Sequence, residues 1–194
     1  MKKQRSRVVY LHGFNSSPAS LKARLLVDYC NRLGIDSTVP VLSHDPAVAM
    51  QIAQACITEQ GERPALLIGS SLGGYYATWL TEHHGIPSAL VNPAVSPCDH
   101  LRQEFVGRQR NYYSGEEYEF TLEHVEALRG FDTRTIRDPS KYLLLVKTAD
   151  EVLDYRLAVQ RYAGCRQLVQ EGGNHSFDNF ADMLPEIMQF AGLQ

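Results

Sequence analysis

The feature that most constrains this chain is a rhythm. Short apolar runs alternate with longer stretches of helical spacing. Val8–Leu11, Ala65–Ile68, Ser88–Val91, Leu143–Val146 and Gln167–Val169 read as strands, with a weaker one at Ser37–Val41. Helical patterns lie between and after them. One runs from Pro18 to Leu33, with Leu21, Leu25, Leu26 and Tyr29 on one face and Gly34 placed to end it. Others are Pro46–Gln60 with Ile52, Ala53 and Cys56 inside, Leu72–His84 ended by Gly85, Tyr155–Tyr162 and Asp178–Ala191. Strands separated by helices imply βαβ units and a parallel sheet. Such strands are covered on both faces, which explains why they are continuous Leu, Val and Ile runs. The expected fold is an open α/β domain over residues 1–194, with a mostly parallel sheet of about six strands and helices on both faces.

The chain has 194 residues, 44% of them apolar, enough to build one core without disulfides or a metal. The formal net charge of -3 and the absence of a basic tail argue against a nucleic-acid partner. The basic start, MKKQRSR, is followed by only four apolar residues, too few for a signal peptide, and no run is long enough for a membrane span. Cys30, Cys56, Cys98 and Cys165 are widely spaced with no metal-ligand pattern. The expectation is a cytoplasmic protein with four structural cysteines, no metal and a small-molecule substrate. Oligomeric state is not legible.

The rhythm breaks between Val91 and Leu143. Residues 94–140 carry Arg102, Arg108, Arg110, Tyr112, Tyr113 and Tyr118 but no convincing strand. This reads as an inserted segment: either extra helices packed on the sheet edge, or a cap over a pocket.

Chemistry concentrates where strands end. Gly69-Ser70-Ser71-Leu72-Gly73 joins a strand directly to a helix. Such a stretch is either a structural turn or a nucleophile elbow, and this setting favours the elbow: the turn is so tight that the residues two before and two after the serine, Gly69 and Gly73, must be small. Ser71 is then held at a helix N-terminus, where developing negative charge is favoured. A serine needs a base. Of the seven histidines, His175 lies in Glu171-Gly172-Gly173-Asn174-His175, after the last strand and at the carboxyl edge of the sheet. His83 and His84 end a helix, His44 sits in a loop, and His100 and His124 fall in the insertion. The acid should follow the strand Leu143–Val146, and Asp150 is the first carboxylate there. Its competitors read otherwise, Glu151 as solvated and Asp154 as a helix N-cap. Two backbone N–H groups suit an oxyanion hole: that of Leu72, after the serine, and that of Phe14, which Gly13 lets approach closely. His12 reads as a buried brace for that loop. Phe14, Tyr75, Tyr76 and Phe177 are either an apolar acyl site or core.

The ordered segments LHGFNSSP, GSSLGGYYATWL, VNPAVSP, DEVLDY and EGGNHSF resemble the YqiA-type esterases of bacteria, a small α/β-hydrolase family. The resemblance runs from Tyr10 to about Phe180. It implies a compact α/β-hydrolase, hydrolysis of carboxylic esters without a cofactor, and a triad falling on Ser71, Asp150 and His175. One position departs from the family pattern: Ala149 stands before the acid, where the family tends to have glycine. A positive φ there would strain the loop. Two other functions compete. One is an acyl-CoA thioesterase with the same triad, for which Arg102, Arg108 and Arg110 are candidate phosphate contacts or simply a solvated face. The other is a non-catalytic binding protein on a hydrolase fold, which three chemistry-bearing residue types in the right order argue against.

Overall fold

The computed structural model describes residues 6–58, 63–100 and 105–194. The elements in chain order are β1 (Arg7–Leu11), α1 (Leu21–Leu33), β2 (Asp36–Thr38), α2 (Pro46–Thr58), β3 (Leu66–Ser70), α3 (Leu72–His84), β4 (Ser88–Val91) and α4 (Pro97–His100). There follow β5 (Gly107–Arg110), β6 (Glu117–Phe120), α5 (Leu122–Arg129), β7 (Tyr142–Lys147), α6 (Tyr155–Arg161), β8 (Arg166–Gln170) and α7 (Phe180–Phe190).

Six strands form one sheet in the order β2-β1-β3-β4-β7-β8, and every pairing is parallel. Each buried strand splits its side chains between two cores, because successive residues point to opposite faces. Val8, Tyr10, Leu66, Ile68, Ala89, Val91, Leu143 and Leu145 pack with Leu26 of α1 and Phe180, Leu184 and Ile187 of α7. Val9, Leu11, Leu67, Leu90, Leu144 and Val146 pack with Met50 of α2, Tyr75 and Leu80 of α3 and Ala158 of α6. This two-sided burial is the reason the strands read as unbroken apolar runs.

The chain leaves β1 for β2 on one side, then returns to β3 on the other. The loops after β1 and β3 therefore diverge, opening a crevice at the carboxyl ends of the strands. The two strands are in register with Leu11 beside Gly69, so both loops leave the sheet at the same level.

Several boundaries differ from the sequence reading. Helix α1 begins at Leu21, not Pro18, because the Ser20 hydroxyl accepts the Ala23 N–H and caps it. Leu21 consequently points outward, 57% exposed. Strand β2 ends at Thr38, two residues before Pro40. Gln60 lies outside the described residues. Among the described residues, no helix is long and apolar enough to cross a membrane.

The inserted segment holds α4 and α5 but also an antiparallel hairpin, β5–β6, that the sequence did not reveal. One strand, GRQR, has no apolar residue, and the alternation of the other, EYEF, is only four residues long, too short to announce a hairpin. The hairpin rests on its backbone ladder, on Phe120, which is buried against Phe14 and Phe105, and on an Asx turn, in which the Asn111 carboxamide oxygen accepts the N–H groups of Tyr113 and Ser114.

Gly73 sets how closely α3 lies on β1. A Cβ at this position would fall 2.0 Å from the Leu11 carbonyl oxygen and 2.6 Å from that of His12. Both are backbone atoms and cannot move aside. Gly34, by contrast, caps α1 at φ 68 with open space around it. In urea unfolding, Gly34→Ala should cost about 1 kcal/mol, the penalty of a left-handed residue alone. Gly73→Ala should cost about 3 kcal/mol or more, since the helix must lift from the sheet. Equal costs would contradict this packing.

Candidate active site

Ser71 follows β3 and precedes α3 with φ 54 and ψ -122, a conformation that non-glycine residues seldom adopt. The backbone around it is held at several points. Its N–H donates to the Val91 carbonyl at 3.1 Å, and its own carbonyl accepts from Gly74 at 2.9 Å and Ala94 at 3.1 Å. Gly69 is compelled by the turn, because a Cβ there would lie 2.4 Å from the Gly73 carbonyl oxygen. Ser70 points into a buried environment.

The Ser71 hydroxyl meets His175 Nε2 at 3.1 Å. On the other side of the ring, Nδ1 meets the two Asp150 carboxylate oxygens at 3.0 and 2.8 Å. A carboxylate only accepts, so Nδ1 carries the proton and Nε2 is left to accept from Ser71. The Asp150 side chain is 2% exposed, and its Oδ1 also accepts the N–H groups of Val152 at 2.9 Å and Leu153 at 2.8 Å. These bonds fix the carboxylate before it orients the ring. Ala149 is not among the residues with positive φ, so the loop carrying Asp150 has no strain from lacking a glycine there.

The His175 loop is fastened by groups the sequence reading missed. Asn92, at the end of β4 with φ 41, donates from its Nδ2 to the carbonyls of Asn174 and His175, both at 3.1 Å. Its Oδ1 accepts the Lys147 N–H at 2.9 Å. One buried carboxamide thus ties β4, β7 and the histidine loop together. A polar side chain right after a buried strand was the available signal. Glu151 is exposed, as expected of a solvated residue, but its carboxylate also accepts the His175 N–H at 2.9 Å. Asp154 caps α6, as its reading anticipated. The loops meet directly too: Ala149 N–H donates to the Gly172 carbonyl, and Gly172 N–H to the Thr148 hydroxyl.

His12 is buried and braces the loop after β1. Its Nε2 accepts the Leu42 N–H at 3.1 Å, so its Nδ1 bears the proton and donates to the Gly13 carbonyl at 2.9 Å. Ser16 N–H reaches the same carbonyl at 3.3 Å. In a trans peptide the C=O and the following N–H point in opposite directions. Anchoring the Gly13 oxygen therefore aims the Phe14 N–H away from His12. Gly13 lies against Ser71: a Cβ on it would be 3.1 Å from the serine Cβ and 3.6 Å from Oγ. Leu72 N–H, in the first turn of α3, has no intrahelical acceptor.

Ser71 and His175 open into a cleft of about 380 Å³. Gly13, Phe14, Tyr10, Lys22, Phe177 and the hairpin residues Tyr112 and Tyr113 contribute to its walls. The hairpin is bonded to the β1 loop through Tyr112 N–H to Asn15 O, Asn111 Nδ2 to Ser16 O and Tyr118 OH to Asn15 Oδ1. Of the four aromatic residues singled out from sequence, Phe14 and Phe177 line this cleft, whereas Tyr75 and Tyr76 belong to the core. His124 completes the N-terminal capping box of α5 and His44 stacks on Tyr118, and neither lines the cleft at Ser71. Arg108 is bound to Glu117 on an exposed face, and Arg102 lies outside the described residues.

Burial holds the His12 pKa below its ordinary value of 6.5. The native state therefore binds fewer protons than the unfolded chain, so the stability this neutral histidine confers is complete above about pH 6.5 and is lost as pH falls. Between pH 7.5 and 5.0, the Tm of the wild type should fall by more than that of His12→Gln. His84, also shifted down by burial, contributes equally to both proteins. Identical pH slopes would show that His12 does not act as a neutral brace.

The chain matches, over residues 7–192, the model of an uncharacterised protein family, UPF0227. A UPF0227 protein of Serratia proteamaculans (strain 568) is 24% identical over 200 residues, covering 96% of this chain and 99% of its own. Among solved structures, a putative hydrolase from Agrobacterium vitis S4 superposes with a TM-score of 0.76 at 18% identity, covering 94% of this chain and 88% of that one. The esterase domain of a Rhodothermus marinus protein gives a TM-score of 0.72 at 20% identity, covering 98% and 88%. These likenesses establish the α/β-hydrolase fold, and the match along almost the whole length means that the chain belongs to the UPF0227 family.

Proposed function

We propose that the protein is a serine esterase that hydrolyses carboxylic esters through Ser71, His175 and Asp150. The observation that carries this reading is the continuous chain of hydrogen bonds from the Ser71 hydroxyl through His175 to Asp150, mounted on a strained elbow at the mouth of a cleft. Its structural neighbours, a putative hydrolase and an esterase domain, support the same class.

Ser71 Oγ attacks the ester carbonyl carbon as its proton passes to His175 Nε2. Asp150 stabilises the imidazolium so formed and keeps the ring in line. The carbonyl π electrons move to oxygen, and the N–H groups of Phe14 and Leu72 receive this oxyanion, with Gly13 allowing the approach. The bond to the alcohol breaks, and His175 returns the proton to the departing oxygen. Water then adds to the acyl-enzyme, giving a proton to His175; the bond from the acyl carbon to Ser71 Oγ breaks as His175 returns that proton to Oγ, which frees the acid and restores the serine. An acyl-CoA thioester would follow the same steps, but Arg108, a candidate phosphate contact, already faces Glu117.

Hydrolysis of p-nitrophenyl acetate, butyrate and octanoate by the wild type and Ser71→Ala tests the proposal. The wild type should turn over at least the shorter esters, and Ser71→Ala should lose about 10³-fold or more in kcat. Equal activity in the two proteins would exclude Ser71 as the nucleophile.

A further inference from the structure

The cleft beside Ser71 contains an ammonium group that the proposed reaction does not use. Lys22, in the first turn of α1, lines the cleft together with Tyr10, Leu21, Phe177 and Phe180. Its Nζ donates to the Ser176 carbonyl at 2.8 Å, and among the described residues no carboxylate pairs with it. Two physical effects work against a cation there. Partial burial along the cleft wall pushes its pKa down to about 8, which makes the charged form less favoured than on open surface. The first turn of a helix is also the positive end of its dipole, and α1 has no acidic residue there to offset it.

The nearby carboxylates are already committed. Asp150, whose charge acts on Lys22, holds His175 and two backbone N–H groups. Asp178, another cleft residue, faces Lys147 Nζ at 3.8 Å. A lysine on open surface away from a helix N-terminus would avoid both penalties. One held in a partly apolar cleft beside a nucleophile is balanced when the bound molecule supplies the anion.

Resting on the esterase reading, we propose that Lys22 determines substrate specificity, and that the substrate is an ester bearing a carboxylate that pairs with the Lys22 ammonium. The rest of the wall is largely apolar or aromatic, which suits a short hydrocarbon spacer between ester and carboxylate. Lys22 also joins α1 to the segment that follows His175, so its structural contribution has to be separated from recognition.

The test compares matched pairs of esters. For the acyl side, p-nitrophenyl pentanoate is set against mono-p-nitrophenyl glutarate. For the leaving group, phenyl butyrate is set against 4-carboxyphenyl butyrate. The wild type should favour the carboxylate member of one pair by about tenfold in kcat/KM, chiefly through KM. The pair that responds locates the anion on the acyl chain or on the alcohol. Lys22→Met should abolish the preference, Lys22→Arg should keep most of it, and 0.5 M NaCl should weaken it in the wild type. A purely structural Lys22 would lower both members of a pair alike and leave their ratio intact. A wild type that turns over neutral esters but shows no preference, or a preference that survives in Lys22→Met, overturns this inference alone. No turnover of any ester overturns the esterase reading and this inference with it.

Discussion

The close contact between α3 and β1 underlies the geometry of the site. With hydrogen alone on the Gly73 Cα, the first turn of α3 lies against the carbonyls of Leu11 and His12. That contact brings the elbow beside the loop after β1, so that Ser71 and Gly13 share one wall. The tight turn then forces Ser71 to positive φ, and the penalty of that conformation is offset by the hydrogen bonds of its backbone to Val91, Gly74 and Ala94. Placing a serine hydroxyl at the mouth of the crevice is a consequence of packing a helix on a parallel sheet this closely.

The remaining groups converge because the sheet order brings their strands side by side. β4, β7 and β8 are consecutive neighbours, and each ends in a loop that supplies a different part. Asn92 follows β4, Asp150 follows β7 and His175 follows β8. Hydrogen bonds between these loops, from Asn92 to the carbonyls of Asn174 and His175 and from Gly172 to Thr148, hold them as one unit. The His175 ring is fixed both by its carboxylate partner and through its own backbone, whose N–H is held by Glu151. Orientation of this kind, made before any ligand arrives, is what lets a small domain position an imidazole accurately.

What the sequence made legible follows the same physics. Strand β4 and helix α3 have the predicted bounds, because a buried parallel strand is a short, mostly apolar run and Gly85 stops the helix in a left-handed conformation. Ser71, His175 and Asp150 could be chosen because each stands at a strand end in a fixed chain order. The hairpin in the insertion was not legible, since Arg108, Arg110, Glu117 and Glu119 hide strand pairing behind an exposed polar surface. Asn92 and Glu151 were missed for another reason. Their roles consist of hydrogen bonds to backbone atoms about 80 and 24 residues away, and no local pattern announces such partners. Lys22 escaped notice because a lysine on a helix reads as solvated until the cleft beside it is seen.

The central claim is that Ser71 becomes covalently acylated, with His175 as its base. The most direct measurement is intact-protein and peptide mass spectrometry after brief exposure to a fluorophosphonate, which reports the activated nucleophile without requiring the natural substrate. A single adduct is expected on the peptide containing Ser71, absent in Ser71→Ala and formed far more slowly in His175→Ala. An unmodified wild-type protein, or an adduct on Ser70 or on any other residue, would contradict it.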